Sequence, residues 1–74
     1  MKTYQDAAKN IFIAVIEENS DNGEVEIGFD DEQAYLYLQA WSTVTSHFEK
    51  VKMHLTRQGV VDMISALQRI EGMM

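Results

Sequence analysis

The sequence predicts an α+β domain in two layers: a helix, three antiparallel strands and a second helix (αβββα), with both helices on one face of the sheet. Three observations carry this. Residues 3–18 hold apolar side chains at 3–4–3–4 spacing, three stretches between 24 and 55 alternate apolar and polar, and residues 57–72 hold a second helical stripe. At 74 residues the chain makes one domain, 1–74, near the lower size limit for a self-supporting core.

The first predicted helix rests on Tyr4, Ala7, Ala8, Ile11, Phe12, Val15 and Ile16, which fill one helical face without a gap. Thr3 with Asp6 has the form of an N-cap followed by an acidic first turn. A rival reading takes 10–17 as a buried strand, because Ile, Phe and Val favour sheets. "NSDNG" ends the element, with Asn22 or Gly23 suited to positive φ.

Residues 24–29 form the first strand, with Val25, Ile27 and Phe29 on one face and Glu24, Glu26 and Gly28 on the other. After the turn "DDEQ", the stretch "AYLYLQAWS" sets Leu36, Leu38 and Ala40 against Tyr35, Tyr37, Gln39 and Trp41. A helix beginning at Asp30, with Gln33 closing a capping box, competes with that strand. "TVTS" leads into "HFEKVKMHL", where Val51, Met53 and Leu55 oppose Phe48, Lys50, Lys52 and His54. Thr56 caps the last helix, Val60, Met63, Ile64, Leu67 and Ile70 form its stripe, and Gly72 stops it. The helices are expected to cover the Val25/Leu36/Val51 face. Double-stranded RNA-binding domains share this element order, but the final helix carries only Arg57 and Arg69 as basic residues, and that family is not assigned.

Charge narrows the function. Six basic residues stand against twelve acidic ones, a net −6, so direct binding to nucleic acid or to an anionic membrane surface is disfavoured. The longest apolar stretch, "IFIAVI", is too short to span a bilayer, and nothing reads as a signal peptide. The chain has no Cys, which removes disulfides and thiolate metal sites and suits a cytoplasmic location. A second subunit is then the remaining way to supplement a small core.

The segment "EENSDNGEVEIGFDDE", residues 17–32, holds eight acidic residues and no basic one. An EF-hand register with Gly23 at position 6 puts Glu18, Ser20 and Asn22 at ligand positions, but Phe29 falls where a bidentate Glu is required. No calcium site is therefore expected. His47 and His54 have opposite strand parity and no evident third ligand, so no zinc site is expected either. No serine sits in a glycine-flanked elbow, and no glycine loop can cradle phosphate. Neither catalysis nor a cofactor is expected.

Two surfaces suggest partners. The outer sheet face presents Tyr35, Tyr37 and Trp41 with Phe48, residue types enriched at protein interfaces. Glu24 and Glu26, about 6.7 Å apart on a strand, can echo every second phosphate of a DNA strand, and Asp30, Asp31 and Glu32 extend the line. The expected function is non-catalytic protein binding by a small acidic inhibitor or adaptor. Its sharpest form is a phage-type inhibitor of a host nucleic-acid-processing complex, acting as a nucleic-acid mimic. The alternative is a structural homodimer joined through the aromatic face or an unguarded strand edge. A third reading is a small-molecule-binding or enzymatic dimer whose site needs both chains.

Overall fold

The computed structural model describes residues 1–19 and 23–74, and the backbone alone for 17–19. Five strands, β1 (Lys2–Asp6), β2 (Ile11–Asn19), β3 (Gly23–Asp30), β4 (Gln33–Ser42) and β5 (His47–Leu55), precede one helix, α1 (Arg57–Met73). The strands form a single antiparallel meander in the order β1-β2-β3-β4-β5. The expected αβββα architecture is thus overturned. Residues 2–19 make a β-hairpin in place of the first helix, and the described chain is mostly sheet with one helix.

The reason lies in β2. Ile11, Ile13 and Val15 point to one face and Phe12 and Ala14 to the other, so a run that is apolar on both faces mimics a helical stripe. Its β-branched residues prefer the pleated sheet. Thr3 lies within β1 and caps no helix, and Asp6 stands in no helical first turn. It ends β1, and its Oδ1 accepts hydrogen bonds from the backbone N–H groups of Ala8 (3.1 Å) and Lys9 (3.3 Å), closing the 7–10 turn. Asn10 completes that turn at φ 56, a left-handed conformation that Asn tolerates better than most residues. Ala7 and Ala8 therefore lie in a loop.

From Gly23 onward the alternation predicts the strands well. Cross-strand pairs Ile27↔Leu36↔Met53 and Val25↔Leu38↔Val51 put the apolar residues of three strands on one face. Gly28↔Tyr35↔His54, Glu26↔Tyr37↔Lys52 and Glu24↔Gln39↔Lys50 make up the opposite one. A bulge between Val15 and Glu17 inserts Ile16 as an unpaired residue in β2. Gly23 takes φ 120, and a Cβ there would sit 1.7 Å from the Gln39 carbonyl oxygen, so no other residue fits without moving β4.

At α1, the Thr56 hydroxyl accepts from the Gly59 N–H at 3.0 Å, and Gln58 donates to Asp62 at 2.9 Å one turn on. Gly72 does not end the helix, which continues to Met73. Nor does α1 cover the sheet. It touches the sheet chiefly through β5, the strand it follows, and none of its residues is buried. The expectation of two helices on the Val25/Leu36/Val51 face fails on both counts. Among the described residues only Ala14, Gly28 and Tyr35 are buried, and the apolar face stays open.

Candidate functional site

The polar face is organised in columns, because a meander brings successive strands side by side about 4.8 Å apart. β3 supplies Glu24, Glu26 and Asp30, β4 supplies Tyr35, Tyr37 and Trp41, and β5 supplies Phe48, Lys50, Lys52 and His54. The acidic and lysine columns therefore lie about 10 Å apart with the aromatics between them.

Tyr35 is the structural centre of this face. Its ring lies across Gly28, where even a Cβ would come within 2.8 Å of the ring. A glycine in a strand often marks such a close approach, and here a cross-strand aromatic fills the space it leaves. The Tyr35 hydroxyl donates to Glu26 Oε2 at 2.7 Å, and the Lys52 ammonium sits 4.4 Å from the ring centroid. Only 5% of Tyr35 remains exposed. Burial foremost, then the hydrogen bond to Glu26 and the charges of Glu26 and Asp30, push its phenol up to about 12. Tyr35 is thus occupied within its own chain, and Glu26 with it.

The remaining candidates fall into two groups at opposite ends of β4. At one end Trp41 and Phe48 pack edge-to-face, centroids 5.4 Å apart at 79°, and Trp41 is 49% exposed. Glu24, paired with Gln39, lies beside them on the same face. Tyr37, half-buried, donates to Gln39 Oε1 at 3.1 Å. At the other end Asp30 pairs with Gln33 around a two-residue turn of Asp31 and Glu32. Both turn residues have positive φ, 50 and 62, where hairpins ordinarily place Asn or Gly. Eight residues of strand, about 26 Å, separate this turn from Trp41.

An open pocket of about 490 Å³ lies between the start of α1 and the β3–β4 turn, lined by Phe29, Ala34, Leu55 and Val60 with His54, Arg57, Glu32 and Gln33 at its rim. Its polar groups do not converge on a common point by any hydrogen bond among them. His47 Nε2 stands 3.4 Å from Glu49 Oε1 on an exposed strand end. Among the described residues no three His, Asp or Glu side chains gather as metal ligands. The EF-hand register falls partly on residues 18–22, whose side chains lie outside the described set. Among the described residues no helix is long and apolar enough to cross a membrane.

Sequence reasoning missed the role of Gly28 and of Lys52 in sealing Tyr35. An isolated Gly inside an alternating strand was the available signal. No family model matches the chain, and no curated protein or solved structure matches it.

Proposed function

We propose that this chain is a non-catalytic protein-binding domain, a small acidic inhibitor or adaptor that engages a basic surface of the kind nucleic-acid-binding proteins carry. The observation that carries the reading is the state of Trp41. On a face where Tyr35 is sealed by its own chain, Trp41 stays half-exposed beside Phe48, with Glu24 alongside. A large aromatic flanked by a carboxylate suits a cationic partner, since it offers burial, cation–π contact and charge pairing together. The net charge of −6 favours the same class of partner. Glu24 and Asp30 extend the acidic column, while Glu26 serves Tyr35 first.

The experiment compares retention of a partner from the source organism's lysate on immobilised wild type, on Trp41→Ala, and on a variant with Glu24, Asp30, Asp31 and Glu32 changed to Lys. Glu26 is left in place so that the Tyr35 contact persists. The proposal expects a salt-sensitive basic partner on the wild type and at least a tenfold loss on either variant. Equal retention by all three proteins, each folded by circular dichroism, refutes it.

A further inference from the structure

We infer that a second copy of this chain covers the apolar face of the sheet, with α1 of each copy laid on the sheet of the other. Two complementary surfaces are left wet by one chain. On the sheet, Phe12, Leu38, Val51 and Met53 are 41–58% exposed. On the helix, Ile64, Leu67 and Ile70 are 51–57% exposed along one stripe. Past Met63 the stripe stays exposed, and Thr56 alone links the helix to β5, in an extended conformation (φ −76, ψ 164).

The areas agree with this occupant. The chain exposes 6156 Å². A folded monomer of this mass exposes about 4,600 Å², so roughly 1,500 Å² per chain is surplus. Permanent homodimers bury on the order of 1,000–2,500 Å² per partner, which brackets that surplus. The radius of gyration, 13.9 Å, likewise exceeds the roughly 11 Å of a compact chain of this length.

A second copy fits better than an unrelated partner because one two-fold operation satisfies both surfaces in both chains and closes the assembly. Charge permits it. α1 carries two basic residues (Arg57, Arg69) and two acidic ones (Asp62, Glu71), so the helix is neutral although the chain is −6. The acidic column lies on the opposite face of the sheet. Pairing through the β5 edge is less suited, since a two-fold about Val51 sets Lys50 opposite Lys52 of the second copy.

The test is sedimentation equilibrium together with isotope-filtered NMR on a sample refolded from equal parts of labelled and unlabelled chain. The inference expects twice the chain mass at 50 µM. It also expects methyl contacts from Ile64, Leu67 and Ile70 of one copy to Leu38, Val51 and Met53 of the other. Leu67→Asp, which would bury an unpaired carboxylate, is expected to raise the dimer dissociation constant at least about 100-fold. A monomer at 50 µM overturns the inference. So does a dimer in which those methyl contacts occur only within one chain, or in which contacts between copies run through the β5 edge or the Trp41 face. The NMR result stands without the variant should Leu67→Asp fail to fold.

Discussion

Replacing Tyr35 with Phe removes one hydroxyl and leaves the ring over Gly28 in place. At pH 7 this deletes the 2.7 Å hydrogen bond to Glu26. Hydrogen bonds to charged groups contribute about 1.5–3 kcal/mol, and partial exposure of Glu26 puts this one at or below the low end, about 1–1.5 kcal/mol. In a domain of this size that corresponds to a drop of roughly 5–10 °C in Tm. The pH dependence has the opposite sign. The folded-state pKa of Tyr35 is raised to about 12 from 10.0, so the folded protein holds this proton more tightly than the unfolded chain does. The resulting stabilisation is complete below pH 10 and is lost as pH climbs from 10 towards 12. By pH 11 the wild type forfeits about 1.4 kcal/mol that Tyr35→Phe never had. The advantage of the wild type at pH 7 therefore vanishes near pH 11. Urea denaturation of both proteins at one chain concentration, from pH 7 to 11, measures the difference, and common effects of alkali on other groups cancel. Ultraviolet titration should show a phenol ionising near 12 in the wild type that is lost in the variant. Parallel stability curves, with no late-ionising phenol in the wild type, would refute the sealed-tyrosine account.

Two further substitutions probe the turns. Gly23→Ala forces a Cβ to within 1.7 Å of the Gln39 carbonyl oxygen at φ 120, and should destabilise the protein by at least about 3 kcal/mol; an unchanged urea midpoint would show that β3 starts differently. Glu32→Gly relieves a side chain held at φ 62 and should stabilise by about 0.5–1 kcal/mol after the entropy of glycine is subtracted. If the acidic turn meets a basic partner, the same variant should bind that partner more weakly while melting higher.

The strands from Gly23 to Leu55 were readable because each has one apolar and one polar face, and a period of two has no helical imitation. The first hairpin was not. β2 is apolar on both faces between Ile11 and Val15, and a continuous apolar run satisfies a helical template as readily as a strand. Chemistry rather than period held the answer: Asp6 and Asn10 are turn formers bracketing "AAK", and four of the six residues from Ile11 to Ile16 are β-branched. From Gly23 to Leu55 the division of side chains between the sheet faces was legible. The assignment of cover was not, since alternation tells which residues share a face and not what lies on it. Tyr35 shows the same limit. Its parity was plain, but its burial depends on Gly28 and Lys52, contacts made across strands.

The meander has a consequence for how the chain reaches its fold. Every described strand pairs with its neighbours in sequence. Each hairpin can therefore close a short loop within microseconds, without waiting for distant segments to meet. The sheet can extend strand by strand, and α1 keeps Ile64, Leu67 and Ile70 of its apolar stripe exposed beside it. If a second copy covers that stripe, its burial is separable in time from formation of the sheet, and protein concentration then governs that step alone.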